Sequence, residues 1–168
     1  TAAVGLDVDN TRYTMAAAWE DLDADGDLDL YVANDFGRNC LYRNDGGRFS
    51  NIAAEAGVED IASGMSVSIA DYDHDGNSDI YVSNMFSSAG NRVTYQRKYE
   101  DQFGAEDVSK IQRMARGNSL FRGQGNGTFT DVSAASGMHS FANTIAAMAF
   151  DYDRDGRLDV LFGNYFKP

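Results

Sequence analysis

A chain of 168 residues, 43% hydrophobic and 12% aromatic, has room for one domain with a real core. Its net charge of −12 excludes a nucleic-acid surface, and no stretch approaches the roughly 18 apolar residues of a membrane span. A single cysteine, Cys40, excludes an internal disulfide, and its place in an apolar run suits a small buried side chain. The start at Thr1, without Met or a secretory leader, reads as a processed or excerpted chain.

Residues 1–14 read as the tail of a preceding unit, because Val4-Gly5-Leu6 is echoed by Ala56-Gly57-Val58 and Ser136-Gly137-Met138. Residues 15–19 are strand-like, and the small Ala16, Ala17 and Ala18 suit a crowded inner strand. After an acidic run, a second strand is expected over 28–33, then Asn34-Asp35-Phe36, a strand over 39–43 and a hairpin turn at Asn44-Asp45-Gly46-Gly47. A further strand starts at Phe49 and leads into an Ala-rich stretch. The order restarts with strands over 65–69 and 80–83, Asn84-Met85-Phe86, a strand over 118–122, a Gly-rich turn at 123–127 and a strand from Phe129. It begins a third time with strands over 145–150 and 158–162 and Asn164-Tyr165-Phe166. Four short strands per unit of about 50 residues predict an all-β fold of propeller blades, each of four antiparallel strands. The expected division is a tail (1–14), a blade (15–64), a blade carrying an insertion (65–144) and a partial blade (145–168), about three blades of an incomplete ring.

Each unit turns between its first two strands through Asp-x-Asp-x-Asp-Gly-x-x-Asp. The runs are Asp21-Leu22-Asp23-Ala24-Asp25-Gly26-Asp27-Leu28-Asp29, Asp71-Tyr72-Asp73-His74-Asp75-Gly76-Asn77-Ser78-Asp79 and Asp151-Tyr152-Asp153-Arg154-Asp155-Gly156-Arg157-Leu158-Asp159. They hold five, four and four carboxylates, half of the 26 in the chain, so the net acidity belongs to them. Carboxylates crowded in this way repel one another and raise their own pKa values until a cation enters. Ca²⁺ takes six to eight oxygens, and such a loop offers side chains from positions 1, 3, 5 and 9. The position-7 residues Asp27, Asn77 and Arg157 offer a backbone carbonyl, and the position-6 glycines allow the sharp turn. About three Ca²⁺ per chain are expected. EF-hands begin alike, but position 12 here is Val32, Val82 or Phe162, which cannot ligate, and strands rather than helices flank the loops.

These loops, with Leu-Tyr-Arg-Asn at 41–44, Gly-Thr-Phe-Thr-Asp-Val at 127–132 and the run Tyr-Val-Ser-Asn-Met-Phe-Ser-Ser-Ala-Gly-Asn-Arg at 81–92, carry a resemblance over nearly the whole chain. The chain resembles the FG-GAP/VCBS repeat superfamily, whose calcium-binding blades also build the amino-terminal propeller of integrin α subunits, and bacterial repeat proteins that carry an ASPIC/UnbV module. The resemblance implies a non-catalytic adhesion, ligand-binding or structural scaffold in a secreted or surface protein. It also implies further blades, from the same parent protein or from other chains, to complete the ring. Low-affinity calcium modules suit an extracellular, cell-surface or periplasmic setting. Two alternatives remain open: the propeller part of a carbohydrate-active enzyme such as a polysaccharide lyase, and a subunit that assembles a ring or fibre through open blade faces.

Residues 87–117 interrupt the second unit. Tyr95, Tyr99 and Phe103 recur at i, i+4 and i+8, and Val108, Ile111 and Ala115 at i, i+3 and i+7, each predicting one face of an amphipathic helix. An insertion on a repeat scaffold emerges on one face, so this one reads equally as a helical hairpin that caps the propeller with its aromatics packed inward and as the candidate contact for a protein or glycan ligand. Trp19 is expected in the core. His74 and His139 read as surface residues. Asn126-Gly127-Thr128, formally a glycosylation sequon, reads as turn chemistry.

Overall fold

A computed structural model describes residues 2–138 and 142–165. A 3₁₀ turn (Ala2–Val4) precedes β1 (Tyr13–Glu20), β2 (Asp29–Asp35), the two-residue β3 (Gly37–Arg38), β4 (Cys40–Asp45) and β5 (Arg48–Asn51). The Ala-rich stretch is a one-turn helix, α1 (Ala53–Ala56), and β6 (Ile61–Ala62) follows. The second unit holds β7 (Gly64–Ala70), β8 (Asp79–Asn84), helices α2 (Ser88–Thr94), α3 (Arg97–Gln102) and α4 (Ala105–Ala115), β9 (Ser119–Gly123), β10 (Phe129–Asp131) and α5 (Ser133–Ser136). The third begins with β11 (Thr144–Phe150) and β12 (Asp159–Asn164).

The fold is all-β in its framework, with propeller-like blades. Strands β1-β2-β4-β5 make one four-stranded antiparallel sheet, and β7-β8-β9-β10 make a second with the same order. β11 and β12 pair as the first two strands of a third. No closed ring forms among the described residues. The short β3–β6 pair ties the turn after β2 to the segment that enters the second sheet.

The second strand of each full sheet reads as a nearly continuous apolar run because both its faces are covered; every residue of β8 is buried. One core lies between the first and second sheets, where Tyr31, Ala33, Leu41 and Val58 meet Ile80, Val82, Phe121 and Phe129. A smaller cluster of Val32, Cys40 and Tyr42 covers the other face of the first sheet, packed against Leu6 from the amino-terminal segment. Cys40 is buried there, and burial pushes its thiol up, away from reactivity. The first strands are innermost: β7 lies between β1 and β11, and the Ala147 N–H donates to Ser66 Oγ at 2.9 Å. Small side chains on these strands allow that approach.

Each first strand carries the same irregularity, a register shift between Thr14 and Ala16, Gly64 and Ser66, and Thr144 and Ala146. Each connector also grips its neighbour in the same way. A Cβ on Gly57 would stand 2.8 Å from the Phe129 carbonyl oxygen, and one on Gly5 would stand 2.3 Å from that of Phe49. Both glycines have a positive φ, so a side chain is barred twice.

Two expectations are corrected. Trp19 is 51% exposed, because alternation along β1 turns it to the face away from the second sheet, where its ring lies edge-on to Phe49 at 5.9 Å. The Tyr95, Tyr99 and Phe103 stripe is not one helix face. Extended backbone at Gln96 and Phe103 breaks the insertion into three helices, leaving Tyr95 and Phe103 exposed and Tyr99 stacked on Phe103 at 4.5 Å. The second stripe holds, with Val108 and Ala115 buried. The turn at 126–128 is as expected, with the Thr128 N–H donating to Asn126 Oδ1. His139 and Phe166 lie outside the described residues.

A buried ion pair docks the insertion. Asp60 is fully buried; its Oδ1 accepts from Arg113 Nε at 3.0 Å and its Oδ2 from Asn84 Nδ2 at 2.9 Å. Arg113 and Arg116 both reach Asp131, at 3.4 and 2.8 Å. Removing one partner of a buried pair strands the other charge, which costs about 3–5 kcal/mol. Arg113→Ala is therefore expected to lower the unfolding free energy by about that amount in urea. Lys110→Ala, whose pairing with Glu106 is exposed, should leave the midpoint in place.

Candidate metal centres

The acidic runs sit where the chain must turn between two paired strands: Glu20 pairs with Asp29, Ala70 with Asp79 and Phe150 with Asp159. Within that frame the backbone folds the loop onto its own carboxylates. The position-1 side chain accepts from the N–H groups of positions 5 and 6: Asp21 from Asp25 and Gly26 at 3.1 and 3.0 Å, Asp71 from Asp75 and Gly76 at 3.1 and 2.9 Å, and Asp151 from Asp155 and Gly156 at 3.1 and 3.0 Å. The position-5 carboxylates Asp25, Asp75 and Asp155 each accept from the N–H of position 7, at 2.8, 2.9 and 2.8 Å. The position-9 carboxylates Asp29, Asp79 and Asp159 reach back to the N–H of position 2, at 3.0, 2.9 and 2.8 Å.

The outcome is the same three times. One carboxylate oxygen from each of positions 1, 3 and 9 lies within 4.8 Å of the others: Asp21, Asp23 and Asp29; Asp71, Asp73 and Asp79; Asp151, Asp153 and Asp159. At position 7, the Asp27 side chain is engaged with the Gly46 N–H at 2.8 Å, and the Arg157 side chain is exposed. His74, at position 4, is exposed.

The two complete sheets add a further support. Asp29 Oδ1 accepts from the Asn44 N–H at 2.9 Å and Asp79 Oδ1 from the Gly123 N–H at 2.7 Å, both donors on the third strand of the sheet. Asp29 and Asp79 are buried, whereas Asp159, without a third strand beside it among the described residues, is exposed. Burial pushes the Asp29 and Asp79 carboxyls above the usual range despite the N–H groups that favour the charged form, and the neighbouring loop carboxylates push the same way. Asp23 is raised too, by burial first and then by Asp25. In the second loop a protein cation stands close, with Arg122 Nε 3.4 Å from Asp73 and 3.7 Å from Asp75.

The donor set fits a hard cation, since every ligand is an oxygen and the ligating charge is high. Asp23 Oδ1 is buried and has no hydrogen-bond partner, which leaves it available to a cation; Asp35 Oδ1 and Asn84 Oδ1, outside the loops, are in the same state. Sequence reasoning missed the backbone at position 4. Ala24, His74 and Arg154 all have positive φ, near +60°, and nothing in their side chains signals it. Position 4 is reversed by the pull of position 1 on the N–H groups beyond it.

Elsewhere, a cavity of about 350 Å³ opens at the other end of the sheets, lined by Phe36, Met85, Phe86, Ile111 and Met114 together with Ser63, Ser87 and Asn143. Arg92, at the insertion, is exposed and not part of that lining.

Fold and loops together define the class: a repeat protein of four-stranded propeller-like blades, each turning on an acidic nine-residue loop. The FG-GAP-like repeat matches at residues 21–82, which hold the first two loops, and again at 101–162, which hold the third, so the chain belongs to the FG-GAP-like repeat family. It is similar to Cartilage acidic protein 1 of Mus musculus, 27% identical over 139 residues that cover 81% of this chain and 16% of that protein. The Homo sapiens protein of the same name is likewise 27% identical over 139 residues, 81% of this chain and 15% of its own length. The Xenopus tropicalis one is 35% identical over 52 residues, 30% of this chain and 8% of its own. The chain thus spans about one sixth of the mouse and human relatives.

The loop backbone yields a direct expectation. Gly26→Ala, at a φ of +95°, should lower the unfolding free energy by about 1–2 kcal/mol. Ala24→Gly, at a φ of +63°, should not lower it.

Proposed function

We propose that this chain is a calcium-binding, non-catalytic segment of a β-propeller scaffold in a secreted or surface protein. The observation that carries the reading is the threefold gathering of position-1, -3 and -9 carboxylates, with Asp23 Oδ1 left unpartnered. Calcium would be held by Asp21, Asp23, Asp25 and Asp29, by Asp71, Asp73, Asp75 and Asp79, and by Asp151, Asp153, Asp155 and Asp159, with the carbonyls of Asp27, Asn77 and Arg157. The cation would supply the positive charge that lets each crowded set stay ionised, and so convert binding energy into folding energy. What the chain itself does is position: the loop N–H groups orient the carboxylates, and the strands on either side are pinned at one end.

A scaffold reading accounts for the rest of the surface. The loops crowd one end of the sheets, while the insertion emerges at the other end with Tyr95, Phe103 and Val93 exposed beside Arg92 and Lys98, a surface suited to a protein or glycan ligand. The outer face of β11 and β12 is unfinished. Tyr31 and Tyr81, two residues past the loops, are buried, and their hydroxyls donate to the carbonyls of Val58 and Met138, each at 3.1 Å. The corresponding Leu161 is 60% exposed and lies beside the exposed Met148. Further blades of the parent protein are the natural cover, and the small share of its relatives that the chain spans supports this. An extracellular setting accords with loops of this kind and with relatives named for cartilage.

Elemental analysis of the purified chain should find about three Ca²⁺, and Asp23→Ala, Asp73→Ala and Asp153→Ala should each remove one. Chelation should lower the melting temperature markedly; equal melting with and without chelator, and no bound metal, would sink the proposal. The pH dependence should change sign with the ion. In chelator, Asp29 and Asp79 are raised in the folded state, so their contribution to stability is present in acid and is lost as the pH rises through their folded pKa values. In calcium the metal holds the same groups ionised, and stability should instead fall as the pH drops through the carboxylate range.

A second reading, a subunit that closes its ring with further copies, is favoured by the same open face at Met148 and Leu161. Sedimentation in calcium separates the two. The blade-segment reading expects a monomer at tens of micromolar, and growth with concentration would favour self-assembly.

A further inference from the structure

The hairpin joining β9 to β10 is spelled Gly123-Gln124-Gly125-Asn126-Gly127, and its three glycines touch two different acidic loops. A Cβ on Gly123 would stand 2.3 Å from the Ser78 carbonyl oxygen, and one on Gly125 would stand 2.3 Å from Asn77 Oδ1, both in the second loop. A Cβ on Gly127 would stand 3.0 Å from the Cβ of Asp23, in the first loop. Asn126 sets the turn: its Oδ1 accepts from the Thr128 N–H at 3.1 Å and from the Thr128 hydroxyl at 2.6 Å. The β4–β5 hairpin behaves differently. Its Gly46 N–H serves Asp27 of its own loop, and nothing lies within 4 Å of a Cβ on Gly46 or Gly47.

Between the first loop and the β9–β10 hairpin lies a cleft of about 120 Å³. Asp23, Arg43, Ile52 and Glu55 wall it from one side, and Asn126 and Thr128 from the other. Asp23, whose Oδ1 is buried without a partner, thus shares this cleft with the hairpin of the neighbouring sheet, and its Cβ lies where only a glycine at 127 leaves room.

We propose that the first metal centre is composite, closed by the β9–β10 hairpin of the neighbouring sheet, so that filling of the first and second loops is linked. The inference rests on the calcium reading above. An ion in the second loop fixes Asn77 and Ser78, and with them Gly123 and Gly125. That seats Gly127 against Asp23 and holds the position-3 carboxylate ready for the first ion. Linkage makes the effect reciprocal. The second loop lacks the matching cover: its Asp73 faces Arg122 of its own sheet, and no following hairpin touches it among the described residues. Among the described residues no such contact joins the third loop to the first, so within this chain the two are expected to fill independently.

The test is a calcium titration of the ¹⁵N-labelled chain, with the amides of Gly26, Gly76 and Gly156 reporting the three loops separately. Asp73→Ala is expected to move the Gly26 midpoint to at least about fivefold higher calcium, and Asp23→Ala to move the Gly76 midpoint by the same factor. Asp153→Ala should leave the Gly26 midpoint in place. Gly127→Ala should itself raise the Gly26 midpoint and reduce the mutual effect to below about twofold. If that variant does not fold, Asn126→Ala, which loosens the turn without adding bulk at the contact, is expected to do the same. A Gly26 midpoint that stays within about twofold in Asp73→Ala overturns the linkage and leaves calcium binding standing. Silence of all three amides overturns the calcium reading itself.

Discussion

The structure depends on holding three carboxylates within 4.8 Å of one another at the mouth of each blade. Left to themselves these groups repel, and burial, the larger cause, combines with that conflict to raise Asp23, Asp29 and Asp79. The fold answers it in layers. Loop N–H groups take up the outer lone pairs of positions 1, 5 and 9, the third strand caps position 9, and in the second loop Arg122 lends a positive charge. None of these neutralises the set.

The same conflict organises the sheets. Position 9 is both a loop carboxylate and the first residue of the second strand, so the electrostatic centre and the best-buried strand are covalently one. A change at the loop is passed directly to Tyr31 or Tyr81, two residues further along and packed between blades. The opposite end of the sheets is free of that constraint, and there the chain accommodates a three-helix insertion without disturbing the strand order. Its anchor joins opposite charges, Asp60 with Arg113 and Asp131 with Arg113 and Arg116, rather than crowding like ones.

Much of this was legible in the sequence because the signals are local. The alternating aspartates with glycine at position 6 announce the turn, and short β-branched and aromatic runs announce the strands; the observed bounds of β2, β4, β8 and β9 differ from the expected ones by one or two residues. What could not be read depends on contacts between distant segments. Trp19 looks like a core residue until one knows which face of β1 meets the second sheet. The stripe of Tyr95, Tyr99 and Phe103 has helical spacing, yet α4 packs on α2 and requires turns at Gln96 and Phe103 that spacing alone cannot show. The left-handed backbone at Ala24 follows from hydrogen bonds to Asp21, not from any preference of alanine. Asp60 and Arg113 are 53 residues apart, so no periodicity joins them.

The grip of Gly57 on the Phe129 carbonyl, and of Gly5 on that of Phe49, gives the assembly a polarity. A connector always clasps the outer strand of the blade after it, so the two faces of a blade are different surfaces, one that clasps and one that is clasped. Such a surface cannot pair with a copy of itself across a twofold axis; it can only be met head to tail. Blades of this design therefore add in one rotational sense.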